Sequence, residues 1–227
     1  MIYLFNLLFY QPLFNLLVVL YKYIPGHDFG IVVIILTILI KVVLYPLGNK
    51  AIKSQKEMAE IQPQMEAIKE KYKDDKEKQT KAILELYQKS KINPFSGLLP
   101  ILIQLPILIA LYQVFWKGLD PKEMHFLYSF VGAPEAIKPL FLGFINLSRP
   151  SVILAVVCGI LQFFQTKMLA PKLKQAKGKS SDFANILQKE MQYLLPIFTV
   201  VILAKLPSAL GIYIVTTSIF TIGQQYV

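Results

Sequence analysis

The chain has 227 residues, of which 55% are apolar and 17% charged, with a mean hydropathy of +0.50 and a formal net charge of +10. That composition excludes a disordered or fibrous chain, and a soluble domain so apolar would expose aggregating surface, so a membrane protein with room for four to six spans of about 20 residues is expected. The single cysteine, Cys158, lies in an apolar run, which excludes an intramolecular disulfide and argues against redox chemistry.

Residues 1–27 mix Asn6, Gln11, Pro12 and Asn15 with aromatics and end at Lys22, Tyr23 and Pro25-Gly26. A helix lying in the extracytoplasmic interface from about Pro12 to Tyr23 suits that mixture better than a clean span. The start has neither the positive charge nor the small-residue pattern of a signal peptide, so no cleaved leader is expected, while an uncleaved anchor over 1–11 stays open.

The first span is predicted over 28–48. It carries Lys41 inside an otherwise nearly apolar run. A centrally placed lysine costs about 2.5–3.5 kcal/mol on insertion scales, which a span retains when the group faces protein or water. Snorkelling toward the nearer surface is the bland alternative, and the lysine stem covers only part of the rise to Leu47. Thr37 lies one turn earlier on the same face.

Residues 49–93 form a polar segment, and the stretch 48–94 holds eleven lysines and eight acids. Met58, Ile61, Met65, Ile68 and Tyr72 recur at spacings of three and four, and Ile83, Leu84 and Tyr87 supply a facing stripe after Asp74-Asp75, which predicts a helical hairpin. Glu77–Lys81 and Glu85–Lys89 are expected to pair on its outer faces, and Pro63 to kink or restart its first helix. The hairpin is either a solvated spacer or a docking arm for substrate or partner, with Met58, Ile61, Met65 and Tyr72 as its contact stripe.

Further spans are predicted at 95–117, 150–170, 191–205 and 208–227, the last two separated where Pro207 breaks the helix. Gln104 stands in the second span, and Gln162, Gln165 and Thr166 form one polar stripe in the third. Thr217, Thr221, Gln224 and Gln225 form another in the fifth. Singly, each such group glues helices together at around 0.6 kcal/mol per hydrogen bond. No aspartate or glutamate occurs in the apolar runs 29–47, 95–116, 150–170 and 191–227, so Lys41 has no intramembrane partner and a proton-driven transporter is disfavoured.

The 171–190 loop holds five lysines and two acids, against four basic and three acidic residues in 117–149. The two lysine-rich loops, 49–93 and 171–190, should be cytoplasmic, with the N-terminus and the 118–149 loop outside and the C-terminus inside. His27 and His125 are too isolated for a metal pair, and no nucleophilic triad or glycine-rich phosphate loop appears, so neither an enzyme nor a cofactor or metal site is expected. The lysines interleave with acids, which favours anionic lipid or ribosomal RNA over DNA.

With these residues in place, the chain resembles the YidC/Oxa/Alb family of membrane protein insertases. The likeness rests on ILTILIKVVLYPL (35–47), IQPQMEAIKEKY (61–72), INPFSGLLPILIQLPILIALYQVF (92–115), QFFQTKM (162–168) and LPSALGIYIVTTSIFTIGQQ (206–225). The resemblance implies an all-α, polytopic membrane protein: a five-helix transmembrane core, an N-terminal interfacial amphipathic helix and a cytoplasmic helical hairpin. It also implies a hydrophilic groove open to cytoplasm and lipid that carries one basic residue, usually arginine. Lys41 stands at that position and Thr37 a turn before it; Gln104, Gln162, Gln165, Thr166, Tyr213 and Thr217 complete the implied groove. Lysine keeps the charge but not the fork geometry of arginine. The implied partners are nascent membrane proteins, the translating ribosome, membrane lipids and the Sec translocon. A small-solute transporter or channel and a structural subunit of a membrane complex are the rival readings from other classes.

Overall fold

The computed structural model describes residues 2–93, 99–117, 120–134, 136–169 and 193–226. Its regular structure is helical apart from one two-stranded ribbon. The expected 171–190 loop, and residues 94–98 of the INPFSGLLP stretch, lie outside the described residues.

Helix α1 (Ile2–Phe5) runs through a π-helical turn, Asn6–Tyr10, into α2 (Gln11–Tyr23). Helix therefore begins some ten residues before the Pro12 start expected from the sequence, and Tyr3–Tyr23 is long and apolar enough to cross a membrane. The widened π turn falls where the Pro12 ring would otherwise meet the carbonyl one turn back. The polar residues that suggested an interfacial position are spent on docking a loop. Gln11 Nε2 and Asn15 Nδ2 donate to the Phe126 carbonyl at 3.0 and 2.9 Å, and Asn15 Oδ1 accepts from Tyr128 N at 2.7 Å. Tyr10 donates to Glu123 Oε2 at 2.6 Å.

Asp28 caps α3 (Phe29–Val43) by accepting from Ile31 N at 3.0 Å. The helix stops short of residue 48, the boundary expected from hydropathy. At 15 residues it is about 22 Å long. Helix α4 (Tyr45–Lys71) then departs at 69°, because Pro46, in its first turn, lacks the N–H that would continue the ladder and its ring opposes a straight continuation. The hairpin therefore starts at the elbow, four residues before the expected boundary.

Helix α4 continues through Pro63 and pairs with α5 (Lys76–Lys89), which Asp75 caps through Lys78 N at 3.0 Å. Tyr87 donates to Met65 Sδ at 3.5 Å, Gln79 Nε2 donates to the Lys69 carbonyl at 2.9 Å, and Ile61 is buried. Leu84, expected on the seam, is 53% exposed: the interhelical face follows Ile83 and Tyr87, four apart, and leaves residue 84 turned outward. Among the described residues the ion pairs are Lys53–Glu57 at 4.0 Å and Lys78–Asp75 at 2.9 Å, not the two outer-face pairs expected.

Helices α6 (Leu99–Lys117), α7 (Val152–Leu169), α8 (Tyr193–Leu203) and α9 (Ser208–Tyr226) complete the bundle. The ribbon pairs β1 (Leu140–Phe141) antiparallel with β2 (Ile145–Asn146). Helix α9 is central and packs on α3, α6 and α7. Among apolar surroundings close backbone approach supplies much of helix association, and small residues permit it here. Cys158 Sγ donates to the Gly211 carbonyl at 3.3 Å, and a Cβ on Gly159 would lie 2.4 Å from Val200 of α8. Phe14, Val18, Phe29, Leu36, Leu111, Phe115 and Leu210 fill the centre.

Candidate functional site

The last turn of α3 places Lys41 half-buried against a cavity of about 430 Å³. The elbow folds the first turns of α4 across it, contributing Gly48, Ala51, Ile52 and Gln55. Helix α6 adds Gln104, Leu105 and Leu108; α7 adds Gln162 and Gln165; α8 adds Thr199. The face of α9 from Tyr213 through Thr217 and Thr221 to Gln224 closes it.

Six of the eight residues expected in a groove meet there: Lys41, Gln104, Gln162, Gln165, Tyr213 and Thr217. Thr37 does not. It is fully buried, and its hydroxyl donates to the Val33 carbonyl at 2.6 Å within its own helix. Thr166 spends its hydroxyl on the carbonyls of Gln162 and Phe163, at 3.0 and 2.9 Å. The stripe at Met58, Ile61, Met65 and Tyr72 lies elsewhere: Ile61 and Met65 serve the hairpin's internal packing, while Met58 and Tyr72 are half-buried.

The cavity walls are fixed by hydrogen bonds between helices. Gln104 Nε2 donates to the Tyr213 hydroxyl, which joins α6 to α9 although Tyr213 is only 1% exposed. Gln224 Nε2 donates to Asn49 Oδ1 at 2.7 Å and to the Tyr45 carbonyl at 3.2 Å, and Tyr45 meets Phe220 edge-on, so the root of α4 is held on α9. Lys56 Nζ adds a contact to the Gln225 carbonyl at 3.3 Å. Gly48 leaves room for the Gln224 bonds, because a Cβ there would lie 2.9 Å from Gln224 Nε2 and push the amide aside.

Chemically, the site is one ammonium among amides and hydroxyls. Among the described residues Lys41 has no ion-pair or hydrogen-bond partner, and no carboxylate lines the cavity. Gln162 Oε1 is buried without a donor among the described residues, which leaves it able to accept from water or a visiting polar group. No three His, Cys, Asp or Glu side chains among the described residues are placed to hold a metal. Such a site attracts negative charge and solvates polar groups.

Fold and cavity together define an all-α membrane protein whose bundle holds a polar cavity lined by Lys41. The chain belongs to the 60Kd inner membrane protein family, whose model matches residues 19–227. It is 39% identical over 226 residues to a membrane protein insertase YidC of Fusobacterium nucleatum, covering 100% of this chain and 97% of that protein. Similarity to the YidC insertases of Pelobacter propionicus (34%) and Syntrophus aciditrophicus (36%) covers 95% of this chain but only 37% and 35% of those longer proteins. A crystal structure of an active YidC insertase with its first transmembrane domain resolved superposes with a TM-score of 0.60 at 28% identity, over 96% of this chain and 46% of that one.

Proposed function

We propose that this chain is a membrane protein insertase, in which the Lys41 cavity receives a polar segment of a nascent membrane protein. The observation that carries the reading is the Lys41 ammonium, unpaired among the described residues, beside Gln104, Gln162, Gln165 and Thr217, in a bundle whose outer surface is largely apolar. Polar groups in hydrocarbon cost several kcal/mol each, about 2–7 for an uncompensated amide, so a polar cavity within the bundle lowers the barrier to moving a short polar tail partway across. Lys41 attracts acidic residues on that tail over a longer range than hydrogen bonds reach. The apolar part of the substrate then leaves along the lipid-facing wall.

In this reading α3, α6, α7, α8 and α9 are the five spans, with the N-terminus and the 118–149 loop outside and the hairpin, 171–190 loop and C-terminus in the cytoplasm. The span predicted at 191–205 is short, about 22 Å for its 15 residues, and thins the bilayer beside the cavity. The hairpin and the 171–190 loop serve substrate, ribosome and translocon contacts. The protein acts in the cell membrane on nascent membrane proteins, alone or beside the Sec translocon.

Insertion of a single-span substrate with a short acidic tail into reconstituted vesicles, with and without this protein, tests the proposal. The tail should become protease-protected only when the protein is present. Equal protection in empty vesicles refutes the insertase reading.

A further inference from the structure

At the opposite end of α3 from Lys41, a second cavity of about 450 Å³ is lined by Lys22, His27, Asp28 and Lys138 and edged by Gly143 of the ribbon. We propose that it binds the phosphate headgroup of an anionic phospholipid. The proposal rests on reading α3 as a membrane span, which sets this cavity at the level of the headgroups, because Asp28 caps the helix.

The charge on the described lining favours an anion. Lys22 Nζ gives one N–H to the Gly132 carbonyl at 3.2 Å and keeps two, and the Lys138 ammonium has no partner among the described residues. Asp28 is the opposing carboxylate, but both its oxygens are already engaged: Oδ1 accepts from Ile31 N at 3.0 Å and Oδ2 from Leu142 N at 2.5 Å. Against that one carboxylate stand two ammonium groups, so the described lining carries a net positive charge. His27 is oriented by its Nδ1–H, which donates to the Tyr21 carbonyl at 2.8 Å.

The walls are built with unusual backbone. Among the described residues five have a left-handed φ; three of them line this cavity, Gly26 at 78°, His27 at 50° and Gly143 at 81°, and a fourth, Leu142 at 53°, precedes Gly143 in the ribbon turn. Leucine and histidine are retained in that region only where the surroundings dictate it, and such positions concentrate at binding sites. The ribbon tip is clamped to the capping residue of α3 and carries Leu142 and Phe144 at 57% and 74% exposure, with Tyr23 at 82% nearby in sequence from Lys22. Exposed aromatic and aliphatic groups beside lysines suit the boundary between headgroups and acyl chains, and they offer nothing to a free phosphate ion.

Native mass spectrometry of the purified full chain, given equal amounts of phosphatidylglycerol and phosphatidylcholine, tests this. The wild type should retain phosphatidylglycerol preferentially, and Lys22→Gln/Lys138→Gln should lose that preference by on the order of fivefold per lysine, whereas Lys22→Arg/Lys138→Arg should keep it. Leu142→Ser/Phe144→Ser should lower retention of both lipids, and millimolar inorganic phosphate should displace neither. Undiminished preference in the glutamine variant overturns the site, and displacement by inorganic phosphate overturns the lipid as its occupant. Because the readout does not involve substrate insertion, either failure leaves the Lys41 reading standing.

Discussion

The Gln224 side-chain amide, on the last turn of α9, donates to Asn49 Oδ1 at 2.7 Å, in the first turns of α4 just past the elbow at Leu44. With the companion bond to the Tyr45 carbonyl it holds α4 across the Lys41 cavity. Gln224→Leu should cost about 1 kcal/mol, the net worth of hydrogen bonds of this kind, and should raise amide exchange over Tyr45–Gln55. Gly48→Ala should raise exchange in the same segment, since its Cβ displaces the Gln224 amide. Hydrogen exchange with thermal unfolding in detergent checks both; unchanged protection in either variant contradicts the latch.

Gly30 is the contact point between α3 and the ribbon. A Cβ there would lie 2.1 Å from the Phe141 ring and 2.6 Å from Phe141 Cβ, too near the backbone for a rotamer change to relieve. Gly30→Ala should therefore destabilise by about 1–3 kcal/mol, as overpacking does, and Gly30→Ala/Phe141→Ala should regain part of the loss. A thermal unfolding series in detergent reads both changes.

The hydroxyl of Thr37 serves only the Val33 carbonyl, whereas Gln162 faces the cavity with a buried, unpaired oxygen. Thr37→Val should leave insertion of an acidic-tailed substrate unchanged, and Gln162→Leu should reduce it. Vesicle insertion rates compare the two, and a larger defect in Thr37→Val would reverse the assignment.

Asp75 couples the hairpin to pH. The Lys78 backbone N–H, followed by the Lys78 ammonium, holds its carboxyl below the usual carboxylate value. A lowered folded value favours the charged form, so the stabilisation is fully present above the ordinary carboxylate range and is lost as pH falls through the lowered one. Exchange protection in the first turn of α5 should stay constant from neutral pH down to about 5 and drop toward pH 2. In Asp75→Ala it should be weak throughout.

Much of the cavity was legible in the sequence because its residues are exceptions: a lysine and several glutamines stand out in apolar runs. The α4 wall was not. Gly48, Ala51, Ile52 and Gln55 have no local signature, and they reach the cavity only because the chain bends by 69° at Leu44, a turn that Pro46 foreshadowed and hydropathy smoothed over. Thr37 shares a helix face with Lys41, yet face-sharing says nothing of a hydroxyl that bonds back to its own turn. Gln11 and Asn15 of α2 also hold a distant loop, which the sequence around them could not show, because that pairing spans more than a hundred residues.

The Lys41 charge is the centre of the account, and insertion of a single-span substrate with an acidic tail by the wild type, Lys41→Ala and Lys41→Arg in matched vesicles measures it most directly. The account predicts that Lys41→Arg inserts like the wild type and that Lys41→Ala falls several-fold, with the defect shrinking when the tail's acidic residues are replaced by neutral ones. Equal insertion by all three proteins would contradict it.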